Sequence, residues 1–266
     1  MRVINVNVTK LKIYSLIIIF KQLRIKMCDR VSLIRKMPKP LKEILRFIRN
    51  KLIDKKSSEM AFWRNRLNID SGVFKNSHYQ RLMLGIAQEP DDTFLRGKIV
   101  ADFGCGPRGS LVWTTSPSLR IGIDVLADKY ADEFKDNIIS HNMIYLKSTE
   151  DVIPLPSNFV DVLFTLNALD HVDSFPNMCS EIIRILKPGG EFIGSFNLDE
   201  LPTPTEPQKL DEESIHQYLL NKLNVESYRI TNQRKDEGYE AFFHGNLSYE
   251  KGKPGYLWVR AQKLTL

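Results

Sequence analysis

Gly104, Gly106 and Gly109 stand at the spacing G-x-G-x-x-G, directly after the apolar run Lys98–Phe103. Without a Cβ at these positions, the backbone can approach a ligand closely. Asp124 follows Gly104 by 20 residues and ends a second apolar run, Leu119–Asp124. A carboxylate at that distance suits the diol of a ribose. The chemistry implied is the binding of a nucleoside-bearing cofactor. The glycines alone do not name it, since a nicotinamide dinucleotide would satisfy the same spacing. An ordinary strand–helix connection also uses glycines for their dihedral freedom.

Charge separates the cofactors. Asp102 lies two residues before Gly104. A dinucleotide would set its pyrophosphate beside this loop, where a carboxylate repels it. S-adenosylmethionine (SAM) has no phosphate and carries an ammonium and a sulfonium, which an acid attracts directly or through water. The loop therefore reads as a SAM site in preference to that of a nicotinamide oxidoreductase.

A second group of reactive side chains follows further on. Asp170 and His171 are adjacent and lie near Asn167. Methyl transfer from a sulfonium is an in-line displacement, so a protein mainly positions the two reactants, which supplies about 7–11 kcal/mol of barrier lowering. A general base adds about 10²–10⁴-fold when the acceptor is a hydroxyl. With an unperturbed pKa near 6.5, His171 suits that task; a histidine that caps or packs its loop is the competing reading. Glu200 and Glu206, in the proline-rich stretch 198–208, could meet acceptor hydroxyls or face solvent. Cys28, Cys105 and Cys179 are scattered with no C-x-x-C pair, so neither a disulfide framework nor a metal site is expected.

These residues need elements to hold them. Short β-branched runs recur at 98–103, 119–124, 143–147, 160–166 and 191–196, with helical patterns between them. The clearest helix is 176–186, where Met178, Ile182, Ile183 and Leu186 share a face. Such alternation implies parallel strands joined by crossover helices. Beyond 198, residues 211–223 look helical, and 225–231 and 256–264 look like two strands that close the sheet. The expected fold is a doubly wound, Rossmann-like, seven-stranded, mostly parallel α/β sheet with helices on both faces and a basic helical N-terminal extension.

The stretch Val100–Leu111 (VADFGCGPRGSL) resembles motif I of class I SAM-dependent methyltransferases. The likeness continues in order over about 100 residues. Ile123-Asp124 resembles the acidic second motif, and Ser148–Asp151 before Ile153-Pro154 resembles the segment that flanks the adenine. Phe159–Val162 with Asn167–Val172 resembles the fourth strand and its loop. Leu186–Gly190 resembles the turn into the fifth strand. The resemblance implies SAM as cofactor, with Asp102, Phe103, Gly104, Cys105, Gly106, Asp124, Val125, Thr149, Glu150 and Asn167 as its contacts. It implies Asp170 and His171 as catalytic candidates, and Glu59–Trp63 with Tyr79 as a segment laid over donor and acceptor. Cys105 would contribute its backbone. Two positions depart from the pattern: Arg108 stands where a small residue is usual, and Ser148 where an acid is, leaving Glu150 to serve.

The net charge of +6 is uneven. Residues 1–60 hold 16 Lys/Arg against 4 Asp/Glu, and the other 206 hold 22 against 28. An acidic main domain disfavours a nucleic-acid substrate. The apolar run Ile13–Phe20 is shorter than the roughly 20 residues a spanning helix needs, and no small-residue cleavage site follows it. Residues 41–55 form an amphipathic helical pattern with Lys42, Arg46, Arg49 and Lys51 on its polar face. That helix could pack on the main domain or lie on an anionic membrane. The expected organisation is an extension over 1–58 and a methyltransferase domain over 59–266, cytoplasmic, with peripheral membrane contact through 41–55 as the sharper alternative. A small-molecule acceptor methylated at oxygen is expected: a sugar, a lipid-linked intermediate or another metabolite. A SAM-binding partner module without catalysis is the competing function.

Overall fold

The computed structural model describes residues 54–233, 240–243 and 248–265. The amphipathic pattern at 41–55 lies, except for its last two residues, outside them, as does the apolar run at 13–20.

Helix α1 (Lys55–Ile69) begins at Asp54, whose carboxylate accepts the Ser57 N–H at 3.2 Å. It runs through the boundary expected between 58 and 59. Helix α2 (His78–Ala87) ends at Gln88, which takes a left-handed conformation. The strands are β1 (Ile99–Phe103), β2 (Leu119–Asp124), β3 (Ile144–Lys147), β4 (Val160–Leu166), β5 (Leu186–Leu198), β6 (Leu223–Asn232) and β7 (Gly255–Lys263). Their order across the sheet is β3-β2-β1-β4-β5-β7-β6. The first five are parallel; β7 runs antiparallel to both β5 and β6. The order reverses at β1, where the chain crosses from β3 to β4. Ligands of doubly wound sheets bind beyond the carboxyl ends of strands at such a point.

Alternation along the strands sorts the core into two layers. Ala101, Leu163, Phe192, Leu257 and Val259 pack on one face with helix α5 (Phe175–Ile185) and helix α6 (Glu212–Tyr218). Val100, Val162, Phe164, Ile193 and Trp258 pack on the other with Met83, Ile86 and Ala87 of α2. The period of two along each strand and the apolar stripe of each helix account for both layers. A smaller cluster, at the carboxyl end of β2, joins Met60 of α1 and Phe74 to Leu126, Tyr130 and Phe134. Tyr130 belongs to helix α3 (Ala127–Glu133), which is followed by α4 (Lys135–Ser140).

Three local expectations change. The glycine loop does not lead into a helix: 104–118 is a series of turns. Pro107, Gly109 and the run Thr114-Thr115-Ser116-Pro117 are poor helix formers. Side chains hold this loop instead. Thr114 donates to Asp92 at 2.6 Å, and Arg120 donates to the carbonyls of Leu111 and Thr114. The Leu186–Gly190 turn is a bulge within β5, whose pairing with β4 skips from Leu186 to Glu191. There Lys187 reaches back to Asp161 at 2.6 Å. The helix expected over 211–223 stops at Tyr218, and β6 starts at Leu223. A capping box between Asp211 and Ser214 sets its beginning.

Candidate cofactor and active site

At the carboxyl ends of β1, β2 and β4 lies a cavity of about 370 Å³. It is within the size range of small-ligand sites. The loop after β1 forms its floor. Gly104 has φ +74° and Gly106 φ +56°, a region that L side chains rarely adopt. Both positions are also sterically closed. A Cβ on Gly104 would fall 2.1 Å from the Cβ of Ala168, and one on Gly106 would fall 2.6 Å from the Trp63 indole. The missing side chains thus make room for protein as much as for ligand: the loop is gripped between α1 and the segment after β4.

Asp124 closes β2 and is 6% exposed. Its Oδ2 accepts the Gly106 N–H at 3.1 Å and its Oδ1 the Leu126 N–H at 2.9 Å. Burial raises its pKa to about 6, against the pull of those two N–H groups. A carboxylate has about four acceptor directions, so it can still take hydroxyl donors. Glu59 of α1, and Thr149 and Glu150 after β3, line the same end. Burial first, and Asp124 next, push Glu59 up to about 7. Glu150 pairs with Lys56 at 3.1 Å and Lys55 at 3.8 Å.

Asp102 sits elsewhere. It is buried, its Oδ2 accepts the Ser110 hydroxyl, and its Oδ1 has no partner. It does not line the cavity. Burial lifts it to about 7. The direct contact with a cation expected of Asp102 is therefore absent from the cavity wall; its hydrogen bond holds the glycine loop.

At the other end, Asn167 caps β4 with φ +47° and accepts the Ser195 hydroxyl at 3.1 Å. Asparagine tolerates this conformation better than most residues. His171 lines the cavity with Thr205 and Glu206. Its Nε2 is 3.8 Å from Glu206 Oε1 and 3.9 Å from Asp170 Oδ1, too far for hydrogen bonds, and its buried Nδ1 has no partner. Burial pulls its pKa below the usual imidazole value, so the ring is neutral at pH 7. Asp170 is buried behind it, raised to about 7 by burial and then by Glu206.

Of the residues expected at the site, Phe103, Gly104, Cys105, Gly106, Asp124, Val125, Thr149, Glu150, Asn167 and His171 line this one cavity. Asp102 and Asp170 stand behind it. The sequence reading did not single out Lys55, Ala168 or Met178, which also line it. Ala168 carries no chemical signal in one sequence; its place shows only against Gly104.

A methyltransferase-domain family model matches residues 101–194. The chain is 28% identical over 130 residues to a sterol 24-C-methyltransferase of Pneumocystis carinii, covering 46% of this chain and 32% of that protein. It is 28% identical over 133 residues to a malonyl-[acyl-carrier protein] O-methyltransferase of Enterobacter lignolyticus, covering 49% and 51%. The chain thus spans about half or less of the curated relatives it matches. Among solved structures, SpnF, a [4+2]-cyclase, superposes with a TM-score of 0.54 at 18% identity, covering 70% of this chain and 81% of that one. That likeness shows the fold.

Proposed function

Given that the chain belongs to the class I SAM-dependent methyltransferase family, we propose that it transfers a methyl group from SAM to a small-molecule acceptor, at oxygen. The observation that carries this reading is the single cavity that gathers the glycine loop, Asp124, Asn167 and His171. Its residues fit the donor: Gly104 and Gly106 keep the floor free of side chains, buried acceptors face it, and the loop's own cation, Arg108, pairs with Asp70 and does not line the cavity where a pyrophosphate would need it. When bound, SAM supplies a methyl group already activated on a sulfonium.

The protein's own residues divide the remaining work. Phe103 to Gly106 would seat the donor, and Asp124 would accept from its ribose. Val125, Thr149 and Glu150 would flank the base, and Asn167 would face the donor from β4. Asp102 would act through the loop it braces. His171, neutral, would accept the proton of an acceptor hydroxyl at Nε2, the ring nitrogen nearest Glu206 and Asp170. Asp170 and Glu206, on either side, would stabilise the imidazolium so formed. Four carboxylates against one lysine line the cavity, which favours a neutral acceptor over an anionic one.

Calorimetric titration with SAM, S-adenosylhomocysteine and NAD, beside Asp124→Ala, tests the donor. Binding of the first two alone, lost in the variant, is expected; binding of NAD alone would overturn the reading. Transfer of labelled methyl from SAM to host extract tests catalysis. Tight donor binding without any transfer would favour a SAM-binding module.

A further inference from the structure

We propose that Glu59 of α1 is a second carboxylate of the donor's ribose site, accepting a hydrogen bond from the diol that Asp124 also faces. The inference rests on the donor assigned above and adds a residue outside the glycine loop and the strand ends.

Three carboxylates meet at one end of the cavity, each from a different element: Glu59, Asp124 and Glu150. Two are satisfied by the protein. Asp124 takes the Gly106 and Leu126 N–H groups. Glu150 is paired with Lys56 and Lys55, while Lys55 lies closest to Asp173, at 2.9 Å. Glu59 has no hydrogen-bond donor and no cation within bonding distance among the described residues. A largely buried carboxylate without a donor is costly. A ligand that brings hydroxyl groups to this end of the cavity removes the cost.

The position of Glu59 selects ribose over the donor's ammonium. Its charged neighbours are Asp124, Lys55 and Glu150, and Asp102 behind the glycine loop is not among them. Glu59 also has a fixed register. Trp63 follows it by one helical turn on the same face, and the Trp63 indole lies against Gly106. The Tyr130 ring packs in the cluster that sets Met60 and Trp63 of α1 against Leu126, just past the end of β2. Lys55, Glu59 and Trp63, at i, i+4 and i+8, all line the cavity. α1 therefore presents Glu59 to the diol as a consequence of how Trp63 seats.

The test is calorimetry of the full chain and of Glu59→Ala and Glu59→Gln. The probes are S-adenosylhomocysteine, 5′-methylthioadenosine, which lacks the amino-acid arm, and its 2′,3′-dideoxy analogue. Glu59→Ala is expected to weaken the first two alike, roughly tenfold to a hundredfold for a lost charged hydrogen bond. The dideoxy compound should bind wild type and variant equally. Equal weakening of all three probes would overturn the inference in favour of a structural role. A loss confined to S-adenosylhomocysteine would move Glu59 to the ammonium and overturn it too, as would unchanged binding. If Glu59→Ala fails to fold, Glu59→Gln carries the comparison, with a smaller loss because it keeps one acceptor oxygen. Wild type that binds none of the adenosine ligands would instead overturn the donor assignment itself.

Discussion

The indole of Trp63 lies where a side chain on Gly106 would have to go, 2.6 Å from an ideal Cβ. Helix and cofactor loop are therefore fitted to each other before any ligand arrives. Gly106→Ala meets both this contact and a φ of +56°, and the ring must shift off the loop. We expect at least a tenfold loss of S-adenosylhomocysteine affinity. Trp63→Ala on the same background should recover part of it by removing the clash. Titration of the two single variants and the double variant reads this directly; additive losses would show that the two residues do not meet.

His171 should govern turnover without governing donor affinity. His171→Ala is expected to lower kcat by about 10²–10⁴-fold, the usual contribution of a general base, with S-adenosylhomocysteine binding unchanged. Burial holds the imidazole pKa below its ordinary value. The rate should therefore rise with pH only at acidic values and be level from neutral upward. A variant with wild-type turnover would remove the base role.

Donor binding should stabilise the fold more as pH rises. Glu59 and Asp124 have folded-state pKa values raised to about 7 and about 6, chiefly by burial. A raised carboxyl pKa means that the native state holds its proton more tightly than the unfolded chain. Its contribution to stability therefore falls as pH climbs from about 4 through about 7. A bound cation with hydroxyl donors favours the ionised forms and offsets that loss. The Tm gain from saturating SAM should be larger at pH 7.5 than at pH 5.5, measured by thermal unfolding in matched salt. A gain independent of pH would mean that neither acid meets the donor.

Ile182 tests the fold apart from the site. It is fully buried on the apolar face of α5, between Met178 and Ile185 and against the sheet. Ile182→Ala should cost about 2–5 kcal/mol, visible as a lower urea midpoint with an unchanged slope. Substitution at the exposed Ile139 should change stability little.

The sequence by itself determined the sheet and most of the cavity wall. Strands such as Leu119–Asp124 and Val160–Leu166 emerge at their expected bounds, because runs rich in β-branched residues buried on both faces leave a local trace. Residues at strand ends inherit that legibility, which is why Gly104, Asp124, Asn167 and His171 could be placed at one site. What the tertiary structure decided depends on partners distant in the chain. Asp102 reads as a ligand residue until Ser110 folds back onto it. The turns of 104–118 replace a helix because residues such as Asp92 take up the loop's polar groups. Arg108, unusual for its position, finds Asp70 at 3.0 Å beyond the end of α1. Glu59 opens the segment that the resemblance lays over the donor, but its isolation among three carboxylates exists only once α1, β2 and the segment after β3 converge. Local pattern records which atoms a residue must bury; which donor it meets is set by chain segments tens of residues away.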